Sequence, residues 1–250
     1  MEMEVVTLPV CGDNYSYGVI CNKEAVVIDA CDARPILHLI EKRHVSLLAI
    51  FSTHHHGDHT GGNSLLKQKT GCSIIGGDDR IVDIDRTVLP NECVQAGSFT
   101  IECIATPGHT RGSFVYYVPT IAALFTGDTL FYAGCGRLFE GTAGELNTSL
   151  QTISDFPPTA KIYSGHEYTL DNLKFARSVE PDNPAIIERA TAVGLQLHST
   201  DAYGPAALSE ELATNPFLRT DSPTIRKTLG LPNADGAMVF EELRRRKDCF

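Results

Sequence analysis

No two of the eight cysteines stand as a C-x-x-C pair: Cys11, Cys21, Cys31, Cys72, Cys93, Cys103, Cys135 and Cys249 are scattered along 250 residues. That spacing excludes a zinc ribbon and a thioredoxin-type motif. The plain reading is reduced, mostly buried thiols in a cytoplasmic protein. Apolar runs are short, and none approaches the roughly 18 residues of a membrane span. The opening "MEMEVVTLPV" lacks the basic n-region of a secretory signal. Positive charge is also scarce, with 21 Lys and Arg against 31 Asp and Glu and a formal net charge of -10. Such a body repels phosphates, which argues against nucleic-acid and acidic-membrane partners while leaving room for a local basic patch. Internal repeats, low-complexity tracts and a Ser-His-Asp arrangement are missing too.

What is present is a mixed texture. Up to about Tyr168, short apolar or β-branched runs end in Gly, Asp, Asn or Pro: "AVVIDA", "LLAIFSTHHH", "SFTIECIATPGHT", "SFVYYV", "AALFTGDT" and "AKIYSGHEYT". These read as strands. Segments of helical period lie between them ("RPILHLIEKRH", "GGNSLLKQKT", "GELNTSLQTISDF"), so the class is α/β with a substantial core. Beyond Tyr168 the pattern becomes helix-length and charged, as in "LDNLKFARSVE", "NPAIIERATAVGLQL" and "MVFEELRRRKDCF". A first domain over 1–169 and a smaller all-helical one over 170–250 are expected.

The densest chemistry is in "THHHGDH", where His54, His56, Asp58 and His59 follow an apolar run. Alternate residues of a strand-to-loop segment share a face, so His54 and His56 point together and His55 points away. Imidazole with carboxylate suits zinc, iron or manganese. Four donors cannot complete two metal sites, and His109, Asp128 and His166 each sit just past an apolar run, as His54 does. Taken singly, those three are more simply read as surface groups or satisfied hydrogen-bond partners. Their shared placement at strand ends, where open α/β layers build sites, is the argument for grouping them. His38, His44 and His198 lack such company and are read as structural.

"THHHGDH", "TPGHT", "TGDT" and "GHEYT" resemble the signature of the metallo-β-lactamase superfamily, an αββα sandwich. "FTGDTLFYAGCGRLFEGT", "YSGHEYTLDNLKFARSVEP", "NPFLR" and "RRRKDCF" narrow the resemblance to the glyoxalase II family, the hydroxyacylglutathione hydrolases. The resemblance implies two divalent metal ions per chain, zinc first, with iron or manganese also accommodated. His54, His56 and His109 would hold one and Asp58, His59 and His166 the other, with Asp128 bridging and Asp58 and Asp128 as catalytic carboxylates. The implied reaction is hydrolysis of S-D-lactoylglutathione to glutathione and D-lactate, the second step of methylglyoxal detoxification. A metal-activated hydroxide would attack the thioester carbonyl.

Glutathione carries two carboxylates, and "RRRK" supplies cations. Arg244 and Lys247 lie three apart on one helix face, so both could meet one carboxylate. By resemblance Arg137, Leu138 and Phe139, together with His166, Glu167 and Tyr168, would contact the glutathione moiety, with Arg244, Arg245, Arg246 and Lys247 around its carboxylate. Taken alone, "RRRK" is a solvated helix end well placed against the helix dipole, and Arg245 and Arg246 fit that description. Phe139 and Gly108 depart from tyrosine and cysteine in several relatives. Cys135 reads as packing rather than catalytic. A glutathione persulfide dioxygenase on the same fold and a non-catalytic metal or thiol-conjugate binder are the competing readings. The small-molecule thioester is the expected partner, and a monomer the expected state.

Overall fold

The computed structural model describes residues 3–200 and 202–250, and the chain gathers into two compact units. One comprises the residues up to Ala105, with Gly112–Gly127 and Tyr163–His166; the other comprises Thr106–Arg111, Asp128–Ile162 and Glu167–Phe250.

The first unit opens with β1 (Met3–Val10), β2 (Asn14–Cys21) and β3 (Glu24–Ile28), then α1 (Ala33–Arg43), β4 (Ser46–Ser52), α2 (Gly57–Thr60), α3 (Asn63–Thr70), β5 (Ser73–Gly76) and β6 (Arg86–Thr87). These strands form one sheet in the order β1-β2-β3-β4-β5-β6, antiparallel from β1 to β3 and parallel from β3 to β6. Parallel neighbours need a crossover, which α1 and α3 supply. Val27, Ile36, Ile50, Leu66 and Ile74 pack as one cluster between these helices and the sheet. Helix α1 starts where the Asp32 side chain accepts the Arg34 N–H and stops where His44 turns left-handed (φ 51°), so the structural role of His44 is to cap the helix.

A second sheet carries β7 (Glu92–Ala96), β8 (Phe99–Ala105), β9 (Phe114–Val118) and β10 (Ala123–Gly127). The inner faces of the two sheets meet through aromatic side chains. Phe51 meets Tyr116 edge-on at 5.3 Å, the Tyr116 hydroxyl donates to the Ser52 carbonyl at 2.8 Å, and Tyr17 lies 5.4 Å from Phe125. Both faces of the first sheet are therefore covered, which explains why β2 is buried along its whole length.

The second unit contains β11 (Leu130–Phe131), β12 (Gly134–Cys135), α4 (Ala143–Ser154), the first half of β13 (Lys161–Ser164), α5 (Thr169–Val179), α6 (Pro184–Ser199), β14 (Ala206–Ala207), α7 (Leu208–Thr214), α8 (Pro223–Leu229) and α9 (Gly236–Asp248). The C-terminal part is helical as expected, apart from the two-residue β14, which pairs with Lys161 and Ile162. A strand so short depends on a remote partner, so local pattern could not reveal it. A Thr142–Glu145 capping box starts α4, and Asn183 followed by Pro184 starts α6. Phe217 stacks on Phe175 at 6.0 Å and meets Phe240 at 5.6 Å. No helix among the described residues is long and apolar enough to cross a membrane.

Within this unit Arg189 pairs with Glu211, both side chains almost wholly buried. Glu211 also accepts the Ala133 N–H at 2.8 Å and the Asn215 amide at 3.1 Å, and Arg189 donates to the Thr214 hydroxyl at 2.6 Å. Removing one partner strands a buried charge, so Glu211→Ala should destabilise the fold by about 3–5 kcal/mol. Denaturant unfolding reads this directly, and an unchanged midpoint would show that the pair does not hold the unit.

Candidate metal centre

Strand β4 ends at Ser52, and the next residues carry the histidine cluster. What fixes them is a buried carboxylate at the end of β3. Asp29, left-handed at φ 53°, accepts the Thr53 N–H at 2.7 Å, the Thr53 hydroxyl at 2.8 Å and the His59 Nδ1 proton at 2.9 Å. With its proton given to Asp29, the Thr53 oxygen is left to accept from His54 Nδ1 at 3.0 Å. One carboxylate thus orients two imidazoles, holding the proton on Nδ1 and leaving Nε2 bare in each. His54 Nε2 then lies 3.0 Å from His56 Nδ1. His55 departs as expected, its Nδ1 3.4 Å from Asp78.

His166 follows β13 and is treated alike. Its Nδ1 lies 3.0 Å from the Asp13 carboxylate, which can only accept. Its Nε2 faces His59 Nε2 at 3.2 Å, with Asp58 Oδ2 at 3.6 Å and 3.8 Å from the two nitrogens. The Asn14 amide donates to the Asp58 carbonyl and to Asp58 Oδ2 at 3.2 Å each, and reaches His166 Nε2 at 3.4 Å. The tight turn between β1 and β2, with Cys11 and Gly12 both at positive φ, brings Asp13 and Asn14 to this place. Two imidazole lone pairs and a carboxylate facing one another repel unless a cation lies among them. Asp58, His59 and His166 therefore fit a divalent metal, with ligand atoms all within 4.8 Å of one another.

In the second unit His109 is held the same way by backbone: Nδ1 donates to the Arg137 carbonyl at 2.9 Å, and Nε2 lies 3.4 Å from Asp128 Oδ2. Both side chains are buried. The loop after β12 runs so close that a Cβ on Gly136 would fall 1.9 Å from the Asp128 carbonyl and 3.1 Å from His109 Nδ1. Gly108 is equally constrained, with φ 150° and a Cβ position 2.5 Å from Leu146.

The residues expected around glutathione take different stations. Arg137 and Phe139 are exposed, Phe139 edge-on to the His109 ring at 5.2 Å. Tyr168 is partly exposed and meets Phe131 edge-on. Leu138 is half-buried. Glu167 is engaged with backbone, accepting the Thr169 and Tyr203 N–H groups at 3.1 and 3.0 Å. Arg245 and Arg246 both pair with Glu242 on their own helix, and Arg246 also donates to the Leu229 carbonyl. Lys247 Nζ donates to the Asp171 carbonyl at 3.2 Å and sits 5.5 Å from the Phe175 and Phe250 rings. Burial, then the nearby Arg244 and Arg137 charges, lowers the Lys247 pKa from its ordinary value. Arg244 is buried, with donors on the Cys135 and Gly136 carbonyls and on Asp248. Cys135 is packed as expected, since burial pushes its thiol up to about 11 despite the neighbouring Arg244.

Asp13, Asn14 and Asp29 escaped the reading of the sequence. Asp29 had a signal, an acid just past the apolar run "AVVI", as with Asp128. Asp13 and Asn14 look like ordinary turn residues, and only pairing across β1, β2 and the end of β13 gives them a role.

The profile described as the metallo-beta-lactamase superfamily matches residues 12–83 and 76–166, and that described as hydroxyacylglutathione hydrolase C-terminus matches 167–250. A hydroxyacylglutathione hydrolase of Methylococcus capsulatus is 44% identical over 99% of both chains, and one of Brucella ovis is 45% identical over 94% of both. Among solved structures, ETHE1 from Myxococcus xanthus superposes with a TM-score of 0.67 over 100% of this chain and 99% of its own, at 22% identity. The BLEG-1 B3 metallo-beta-lactamase gives 0.65 over 86% of this chain and 100% of its own, at 24% identity. These two show the fold alone. With the fold of the superfamily along its first part, and with relatives matching it end to end, the chain belongs to the hydroxyacylglutathione hydrolase family of metallo-β-lactamase-fold proteins.

Proposed function

We propose that the chain hydrolyses S-2-hydroxyacylglutathione thioesters, S-D-lactoylglutathione first among them, to glutathione and a 2-hydroxy acid such as D-lactate. The observation that carries this is the pairing of His59 and His166, whose Nε2 atoms face each other 3.2 Å apart beside Asp58 while carboxylates occupy their far nitrogens. In the proposal Asp58, His59 and His166 would hold one divalent ion and His54, His56 and His109 the other, with Asp128 as a ligand to both. Zinc is the first candidate, with iron or manganese suited to the same donors. Such ions, when bound, bring the pKa of a coordinated water toward neutrality and polarise a carbonyl.

The chain's own residues do the rest. Asp29, Asp13 and the Arg137 carbonyl keep the Nδ1 protons of His59, His166 and His109 in place, so each ring presents its other nitrogen. A thioester carbonyl is activated relative to an amide and expels a competent thiolate, so no serine or cysteine nucleophile is required. Arg137 and Lys247 set positive charge on an acidic protein, and they would draw in the glutathione carboxylates. We assign catalysis to 1–169 and substrate binding to 170–250 together with Arg137, Leu138 and Phe139, in a monomeric, cytoplasmic enzyme.

Chelator-treated protein should lose thioester absorbance turnover and regain it with zinc, iron or manganese; turnover indifferent to chelation would overturn the reading. Asp58→Ala removes a ligand, so its loss of kcat should exceed the roughly 10–100-fold typical of losing a group behind a ligand. Unchanged turnover in that variant would sink the dinuclear site. Lys247→Ala should raise KM about tenfold, the worth of one charge-assisted hydrogen bond, with kcat nearly constant. A pure kcat defect would mean that the substrate lies elsewhere.

A further inference from the structure

The three ligands assigned to one ion are held unequally. His59 and His166 are buried, and each has a carboxylate behind its Nδ1, Asp29 at 2.9 Å and Asp13 at 3.0 Å. Asp58 stands on the single turn α2, and its side chain is 49% exposed, so burial does not select its rotamer. A carboxylate that moves among rotamers is a poor ligand, because binding an ion must also order it.

What reaches Asp58 is the side chain of Asn14, which is 4% exposed at the start of β2. Its amide nitrogen lies 3.2 Å from the Asp58 carbonyl, 3.2 Å from Asp58 Oδ2 and 3.4 Å from His166 Nε2. Both Asp58 oxygens only accept, so the amide must turn its nitrogen toward them. Bonds to a main-chain and a side-chain oxygen of one residue tie that carboxylate to its own backbone. The donor count also fits: once His166 Nε2 gives its lone pair to an ion, two N–H bonds remain for two oxygens.

Asn14 is itself firmly placed. Its backbone bridges His166 in antiparallel fashion, the following N–H, of Tyr15, donates to the Gly165 carbonyl at 2.8 Å, and Asn14 closes the β1–β2 hairpin opposite Val10. Consecutive residues of one turn thus serve two ligands of the same ion, Asp13 from behind His166 and Asn14 alongside Asp58. Among the described residues no bond joins Asn14 to His54 or His56.

We propose that Asn14 is a positioning residue for Asp58, and that its amide governs retention of the ion assigned to Asp58, His59 and His166 while leaving the other ion untouched. This rests on the ligand assignment proposed above.

The test is stepwise metal release. Full-length protein loaded with zinc is dialysed against increasing dipicolinate, and the zinc left per chain is read by elemental analysis, with circular dichroism confirming the fold. Asn14→Ala should release one ion at a dipicolinate concentration about 10–100-fold below that needed for wild type, and the other at the wild-type concentration. Asn14→Leu fills the amide's space without an N–H and should behave alike; it decides the matter if Asn14→Ala does not fold. Asp58→Ala should hold one ion, and adding Asn14→Ala to it should not loosen that ion. Folded Asn14 variants that retain zinc as wild type does, or that release both ions together at a lowered concentration, overturn the proposal, as does a double variant that gives up the remaining ion. Wild type is read first: failure to bind two ions would overturn the metal centre proposed above and this inference with it, whereas two ions in wild type with unaffected Asn14 variants overturn this inference alone.

Discussion

The Asp29 carboxylate is the constraint on which the histidine cluster depends. It is 2% exposed, and a carboxylate at that depth is tolerated only when donors surround it. Thr53 supplies two and His59 a third. The geometry follows from sheet order: β3 and β4 are parallel neighbours, so Asp29 just beyond one strand lies beside Thr53 just beyond the other. Fixing Thr53 fixes His54, fixing His59 presents its Nε2 to His166, and both happen because one buried charge must be satisfied.

The same economy recurs with different acceptors. Asp13 acts on His166 and a backbone carbonyl acts on His109, so with Asp29 behind His59 three imidazoles have their tautomers set from behind by two kinds of group, carboxylate and backbone carbonyl. The second unit carries its own charge pairs, Arg189 with Glu211 both buried and the buried Arg244 with the exposed Asp248, and both pairs also hold backbone of the segment Ala133–Gly136. That segment runs against Asp128 and His109 so closely that Gly136 admits no side chain.

Much of this was legible in the residues. The strand runs ending in "STHHH", "ATPGHT" and "FTGDT" name the candidate ligands because a period-two apolar pattern followed by polar groups marks a strand and its end. Helices α1, α4, α5, α6 and α9 announce themselves by period and caps. The short α7 and α8 and the two-residue β14 do not, since a single turn or bridge carries too little pattern to separate it from a loop. Asp29 was visible as a strand-end acid, whereas Asp13 and Asn14 were hidden in a turn whose composition is ordinary.

By itself the sequence determined the class of chemistry: imidazole and carboxylate donors at that density, on an acidic chain with cations gathered near its end, admit few readings. Only the tertiary structure decided which residues serve behind the ligands and how differently two neighbouring cations are held. Arg244 and Lys247 are equivalent in sequence pattern, three apart on one amphipathic helix, yet one meets backbone carbonyls and Asp248 while the other keeps its ammonium half-buried between two rings. Helical spacing fixes which way a side chain leaves its own helix. What it meets there is set by chain folded back from more than a hundred residues away, and no local pattern contains that information.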